Sequence, residues 1–504
     1  MHDVLVVGGG IAGLRAAVAA KSAGSSVALI TQSHPTRSFS VTIQDGINSA
    51  AGSDDRWETH AEDTLAAGDG LNVISVVQEI CREAEATVAE LDRMGVPFNR
   101  QGTALHRVQL EGSTHARASY VDDSAGLAIT QTLYEQAIGG QIDIYNEWIV
   151  VSLIVDDGSC AGVVALELAT GKLAAFGAGA VVLATGGPRR AFEPSIASLQ
   201  CSGSGIAIGY RAGADLADME FVQYAQAVLK DRRLALTPLL WARGATSSAS
   251  GVRIGESLGA SEAGDRFPDT IHKVKALAGL DLITDAIPVM PAMSRLLGGI
   301  AVDGDGATSV PGLFAAGECA GNGFHGASGL HGNFLLASVA SGKAAGISAA
   351  QHARTTSHGD PGEEPSKLMD AAISDAFGRP GGAPVAALRQ ELAGLMDAKV
   401  GMSRNAVGLG EAVERIAAMK EEHAKLGAGS SAKDYNFGLI QYLELGWLLD
   451  VSEAITASAL ERTESRGVHV RTDYPQADAN QAERIQVKRT ESGPTLTRPS
   501  VPAS

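Results

Sequence analysis

A chain of 504 residues exceeds one compact core, so two or three domains are expected. Its 57 acidic against 40 basic residues give a formal charge of -17; this excludes nucleic acid as a partner, because a phosphate-binding face needs clustered Lys and Arg, and solubility accounts for the charge. Sixty glycines suit an α/β fold of many tight turns, while the scattered Cys81, Cys160, Cys201 and Cys319, with no CxxC pair, argue against any metal or iron–sulfur site in this chain and fit a reducing cytoplasm.

Val4 to Val7 is a short apolar, β-branched run that reads as a buried parallel strand. An Ala-rich helix from about Leu14 to Ser22 and a second strand, Ser26 to Thr31, complete a βαβ unit. Apolar positions at helical spacing (Ile74, Val77, Ile80, Ala84, Val88) mark helices within 56–95. Strand-like runs recur at Trp148–Val155, Gly162–Leu168, Ala180–Ala184 and Gly312–Ala316, with helices at 203–213 and from Asn333 to about His352. Residues 236–290 carry no strong period, 355–365 read as a linker, and 366–463 read as helical, with amphipathic stretches at 386–397, 408–425 and 438–461. From Gln476 the chain is polar and reads as a loose tail. No leader precedes the first strand, and no apolar run reaches the ~20 residues that cross a bilayer. The expectation is a cytoplasmic protein without direct membrane insertion, meeting a membrane only through partner subunits.

Gly8-x-Gly10-x-x-Gly13 falls between strand and helix, where a dinucleotide fingerprint belongs. Gly8 makes the turn, Gly10 admits a pyrophosphate, and Gly13, beside Ile11 and Ala12, lets helix and strand pack. The acid usually found at the end of the second strand is missing; Thr31, Gln32 and Ser33 stand there, so a neutral polar group must bind the ribose. Two later strands end in glycine turns: one in Ala184, Thr185 and Gly186, the other in Gly317 and Glu318. An NAD domain needs neither, so FAD is the expected cofactor.

The segment from Thr36 to Asn48, containing Arg37, Ser38, Phe39, Gln44 and Gly46, resembles the TRSHTVAAQGGIN loop of the succinate dehydrogenase and fumarate reductase flavoprotein family, which includes L-aspartate oxidase. Ala212–Gln223 is similar to that family's AGAxLxDMEFVQ segment, and Glu464–Pro475 to its ESRGAHxRxDYP segment. The resemblance runs from residue 2 to about 476, with a gap at about 225–283. It implies a Rossmann-type FAD-binding domain (1–235 and 290–354), a reduced capping region (236–289), a C-terminal helical domain (366–476) and the polar tail (477–504). It also implies flavin contacts from Ser204, Asn333, Phe334 and Leu335, and a face for an iron–sulfur or ferredoxin-like partner subunit.

Departures from the family carry the functional expectation. The His that can bond covalently to the FAD 8-methyl group is Phe39 here, so noncovalent FAD is implied, as in aspartate oxidase. The two substrate His positions hold Ala225 and Ser294, the Arg clamp position holds Gly329, and the proton-delivering Arg finds no match in the shortened cap. Two carboxylates need paired cationic or donor groups to offset their desolvation. The expected function is therefore an FAD-dependent oxidoreductase with an unknown small-molecule substrate other than a C4 dicarboxylate. Two alternatives stand beside it: an electron-relay or structural subunit, and retention of the family activity. Arg295, His331 and His325 are the catalytic candidates, with Tyr224, Gln226, Ser294 and Arg243 near the emptied positions. For any one of them a structural role is as frequent as a ligand role. Structural roles are favoured for His115 and Arg117, and the charged run Lys230, Asp231, Arg232, Arg233 reads as a solvated face.

Overall fold

The unbroken apolar run at Val4 to Val7 requires cover on both faces, and it has it: these residues are buried in β1 (His2–Val7). In this computed structural model, which describes residues 1–498 except 197, 199, 231, 233, 243–244, 249–250, 254–263, 265–266 and 357–358, β1 lies inside a seven-stranded sheet. Parallel neighbours are β2 (Val27–Thr31), with Val4 opposite Val27, and the strand Leu173–Leu183, with Val7 opposite Leu183. Leu173–Leu183 begins well before the Ala180 expected from sequence. Its first half pairs antiparallel with Ser159–Glu167, and its second half runs parallel between β1 and Leu313–Ala315. Gly177 and Gly179 interrupt the run, and the residues before them are only half-buried, so the sequence pattern marks the part from Ala180 alone.

Helix α1 (Ile11–Ser22) and helix Asn333–Thr355 pack on each other against the sheet through small residues. A Cβ on Gly342 would lie 2.4 Å from the Ala12 carbonyl oxygen, so only glycine permits this approach.

Flanking the unpatterned region, Val222–Leu229 and Val289–Leu296 form a two-stranded antiparallel ribbon, and within it Pro268–Ala278 is a helix. Leu229, Leu236, Leu240, Phe267, Val274 and Ile287 form a small apolar cluster that also takes in Val108, Leu110, Ala118 and Tyr120. An irregular ribbon over a small core gives a weak period. Asp231, Arg233 and Arg243 lie outside the described residues.

Helices Glu364–Phe377, Ala383–Val400, Ala406–His423 and Phe437–Glu461 follow, and the last is nearly all buried, with Trp447 fully so. The reading of the C-terminus as a loose tail is corrected. Gln486–Thr490 and Gly493–Thr497 form a hairpin whose first strand pairs with Leu216–Ala217 inside a five-stranded sheet. Ile485 and Val487 are fully buried and anchor it; two apolar residues in a polar stretch leave no legible pattern.

The helical region is tied to the rest by a buried ion network. Fully buried Arg462 donates to Glu220 Oε1 at 2.7 Å and Glu464 Oε1 at 2.8 Å, and Arg466 donates to Glu464 at 2.8 Å. Burial and nearby guanidinium groups hold His469 well below its ordinary range, so it is neutral; its Nδ1 accepts from Arg404 at 2.7 Å. Arg462→Ala would strand the Glu220 and Glu464 carboxylates and is expected to cost about 3–5 kcal/mol in urea unfolding. A loss below about 1 kcal/mol would mean the network contributes no more than exposed pairs do.

Candidate functional site

The first cleft forms where β1, Leu173–Leu183 and Leu313–Ala315 all end on the same side. Gly8 has φ +113°, and a Cβ there would lie 2.3 Å from the Ala184 carbonyl oxygen. A Cβ on Gly13 would lie 1.8 Å from the Gly8 carbonyl oxygen. The turn into α1 is thus made of bare backbone: Gly10 brings no side chain to cap the helix, and the Ile11 N–H donates to Ser40 Oγ at 3.1 Å. Such a helix end presents amides and positive dipole to a pyrophosphate.

The wall of this cleft includes Gly8, Gly10, Ile11, Ala12, Thr31, Gln32, Ser33, Ser38, Phe39, Ala184, Thr185, Gly186, Ser204, Gly317, Glu318, His325 and Phe334, all singled out in the sequence. Thr31 donates to the Ser33 carbonyl at 2.7 Å and Ser33 to Gln200 Oε1 at 3.1 Å, so their hydroxyls are already engaged. Thr185 Oγ1 accepts from Gly205 N–H at 2.9 Å and fixes the start of helix Ser204–Arg211.

Six of the expected contacts are not on this wall. Gly13 lies beneath the turn, packed on Gly8. Arg37 is exposed at the end of a short 3-10 turn. Gln44 lines the second cleft and donates to Thr270 Oγ1 at 2.8 Å, holding the 229–289 segment. Gly46 packs against Ala118 and Ser119. Asn333 is buried in a knot with His60, Asn48 and Thr64, and Leu335 is in the core. Gly13, Gly46, Asn333 and Leu335 are used by packing beneath the loop, whereas Arg37 is exposed and Gln44 faces the second cleft.

The sequence reading missed Arg189. It is 2 % exposed; its guanidinium lies 4.0 Å from the Phe39 ring centroid, donates to the Ser294 carbonyl and pairs with Glu318. Two arginines directly after the Gly186-Gly187 turn were the available signal. Its neighbour Arg190 pairs with Glu444 at 2.6 Å.

A second cleft of about 1630 Å³ adjoins the first, and the two share Phe39, Ile43, Ser198, Arg295 and Phe334. Tyr224, Gln226, Ser294, Arg295 and His331 all line it, as does Asp45; His325 instead lies on the first cleft, its ring 4.8 Å from that of Phe334. The emptied Gly329 position is not vacant. A Cβ there would lie 2.4 Å from the Phe334 ring, which occupies that space, and the Arg295 guanidinium stacks 3.5 Å from the same ring's centroid. Arg295 makes no hydrogen bond or ion pair with a described residue; burial and then Arg189 push it down to about 10, so it stays cationic at neutral pH. Burial and the Arg295 charge push His325 down to about 3, so it is a neutral imidazole at working pH. Arg117 is buried in pairs with Asp55, at 2.8 Å, and Asp63, and is structural as expected; His115 is beside Asp55 at 3.5 Å.

Gly13→Ala would force α1 off β1, and purified protein is expected to lose nearly all visible flavin absorbance or fail to fold; full flavin content would show that the turn tolerates the methyl group. A second expectation concerns pH. Burial pushes His60 from 6.5 down to about 4, despite its bond to Asn333. The unfolded chain therefore binds the extra proton first. Its contribution is present above pH 6.5 and is lost as pH falls towards 4, by about 3 kcal/mol in all. Melting temperatures across that window are expected to fall less steeply in His60→Gln. An identical slope would remove His60 from the account.

The comparisons with known proteins agree with this geometry. Residues 3–246 and 239–335 match the FAD binding domain family, and residues 389–501 match the fumarate reductase flavoprotein C-terminal family. The fumarate reductase flavoprotein subunit of Haemophilus influenzae is 30% identical over 94% of this chain and 90% of its own length. The succinate dehydrogenase flavoprotein subunit of Rickettsia bellii is 32% identical over 96% and 92%. The solved quinol fumarate reductase of Escherichia coli superposes with a TM-score of 0.94 at 27% identity, covering 100% of this chain and 98% of that one. A bare-backbone turn into a helix start and strand ends sharing one cleft fit FAD. The chain belongs to the succinate dehydrogenase and fumarate reductase flavoprotein family and is an FAD-dependent oxidoreductase.

Proposed function

We propose that this oxidoreductase holds FAD without a covalent bond and acts on a substrate other than a C4 dicarboxylate. The carrying observation is the Gly329–Phe334 pair: an aromatic ring fills the space a clamp arginine needs, so restoring the family's substrate grip there would require moving Phe334. Ala225 and Ser294, on the same cleft, offer no second cation. Phe39, under the Arg189 guanidinium, has no nitrogen with which to form a flavin bond.

Bound FAD supplies hydride and single-electron chemistry. The chain's own groups position and shield. Phe39, Arg295 and Phe334 stand between the two clefts and exclude water from the junction, which strengthens electrostatics there. Phe334 begins on the first turn of helix Asn333–Thr355, whose positive end faces the same junction. His325 is too acidic as an imidazolium to carry a proton at neutral pH. His331, on the wall of the larger cleft, is the proposed proton carrier, and Arg295 the proposed anion-binding group.

On this reading the FAD-binding domain comprises 1–235 and 290–354, the short segment 236–289 caps the larger cleft, and 366–476 is the helical domain. Relatives are named as flavoprotein subunits, which supports an iron–sulfur or ferredoxin-like partner subunit. Among the described residues no helix is long and apolar enough to cross a membrane. A cytoplasmic location, with membrane contact through partners, is part of the proposal.

Retained family activity is the competing reading, favoured by relatives named as fumarate reductase and succinate dehydrogenase subunits. Two measurements separate them. Acid precipitation is expected to leave all flavin in the supernatant, whereas a yellow pellet would show a covalent bond. Succinate and fumarate are expected to turn over far below the ordinary range of ~1–1000 per second. Rates within that range would sink the proposed change of substrate.

A further inference from the structure

A C4 dicarboxylate has eight heavy atoms and two charges. The larger cleft, at about 1630 Å³, exceeds even the roughly 300–1,000 Å³ typical of drug-sized ligands. A cofactor held in the adjoining first cleft would leave most of that volume. Its lining is mainly apolar: Leu110, Ile196, Leu234, Leu236, Trp241 and Val289 contribute surface from several separate segments. Water alone is a poor occupant of such a space, because apolar walls offer it few hydrogen-bond partners.

At the inner end, where the cleft meets the cofactor, stands one cation with no anionic partner in contact. Arg295 lies on the Phe334 ring at 3.5 Å and makes no ion pair with a described residue. The neighbouring cations differ: Arg189 is neutralised by Glu318, Arg190 by Glu444 and Lys273 by Asp269. The guanidinium is only half-buried, and stacking on a ring satisfies none of its N–H donors, so its charge and its donors are open to the cleft. An arginine kept there without a partner therefore answers to an anion that arrives.

The position matters as much as the charge. The ribbon pairs Gln223 with Arg295, and Gln223 Oε1 accepts from the Gly329 N–H at 3.1 Å. Arg295 thus stands on the strand adjoining the emptied Gly329 position. The cation has been moved from one wall to another, and the ring between them, Phe334, is what prevents a second.

We propose that the larger cleft binds a monocarboxylate with a bulky apolar body, the carboxylate against the Arg295 guanidinium and the body along the apolar walls towards Trp241. This rests on the reading that the site no longer takes a C4 dicarboxylate. Specificity follows from the single unpaired cation at the inner end: it binds one carboxylate, while on the rest of the wall Lys273 is paired with Asp269 and Arg232 donates to the Leu277 carbonyl.

The test uses the FAD-loaded enzyme and three probes: decanoate, 1-decanol and succinate, each titrated by calorimetry and by perturbation of the flavin spectrum. Decanoate is expected to bind about 10- to 100-fold more tightly than decanol, the worth of one charge-assisted hydrogen-bonded contact, and succinate more weakly than decanoate. Arg295→Gln should abolish the advantage of decanoate over decanol while leaving decanol unchanged, and Arg295→Lys should keep part of it. Ala225→Phe, which fills the cleft without touching charge, should weaken both long-chain probes together. If decanoate and decanol bind alike in the unaltered enzyme, the monocarboxylate site is overturned, while weak succinate binding would leave the reading of a changed substrate standing. If Arg295→Gln leaves the probe affinities intact and instead releases FAD or shifts its potential, Arg295 serves the cofactor and the inference falls. Tight binding and rapid turnover of succinate would bring down both.

Discussion

Three parallel strand ends converge on one side of the sheet, and the chain leaves the first of them without room for any side chain. Gly8 meets the Ala184 carbonyl and Gly13 meets Gly8 itself, so β1, Leu173–Leu183 and α1 are locked at van der Waals distance by bare backbone. Gly342 repeats the device between α1 and the helix Asn333–Thr355. That second helix begins with Asn333 and Phe334, so its seating against α1 also places the ring that separates the two clefts. Cofactor position, junction and substrate wall therefore descend from the same close contacts. A methyl group at either glycine would be felt at the far side of the flavin site.

On the proposed reading, the substrate side of this fixed frame has been rewritten. Fold and family do not determine what a site takes; the side chains grafted on the scaffold do. The network around Arg462, Glu220 and Glu464 keeps the helical region seated, and Arg117 keeps its loop seated on Asp55 and Asp63. Both lie outside the second cleft, so they can persist while its lining changes. On the proposed reading, Phe334 is the central exchange: it takes the volume of a clamp arginine, supplies the stacking face for Arg295 and shields the junction from water.

The sequence disclosed the parts of this protein that depend on period and backbone. β1, α1, β2 and the helices of the last third follow from apolar spacing, and the glycine fingerprint located the cofactor turn. It was blind to parts that depend on a few long-range contacts. The hairpin Gln486–Thr490 and Gly493–Thr497 is polar and held by Val487 and Ile485; the ribbon Val222–Leu229 and Val289–Leu296 has bulges that erase its alternation. At the site, motif position identified a neighbourhood but not a direction. Gln44 and Asn333 stand in matched motifs yet point into packing, while Arg189 stands in none and reaches Glu318, Phe39 and the Ser294 carbonyl together. Side-chain direction at a turn is set by neighbours distant in sequence, so spacing alone does not record it.

Charge shows the same division between global and local. The chain carries -17 overall, yet its cofactor and substrate compartment is built around arginines. Most of these are cancelled in place: Arg189 by Glu318 and Arg190 by Glu444. What remains without an ion pair among the described residues is the end of α1, the end of helix Asn333–Thr355, and Arg295, whose charge Asp45 and Glu318 favour without pairing with it. Burial removes His325 as a cation, because protonating it beside Arg295 would place two like charges in a low-dielectric space. The positive potential is therefore concentrated at two helix ends and one guanidinium, and among the described residues no acid pairs with any of the three. An acidic exterior repels stray anions at long range, and selection among those that enter falls to these few groups. Adding another cation at the junction would not simply strengthen binding: it would push Arg295 and His325 further towards their neutral forms. A single well-placed guanidinium on an aromatic ring is what the electrostatics of this compartment can sustain.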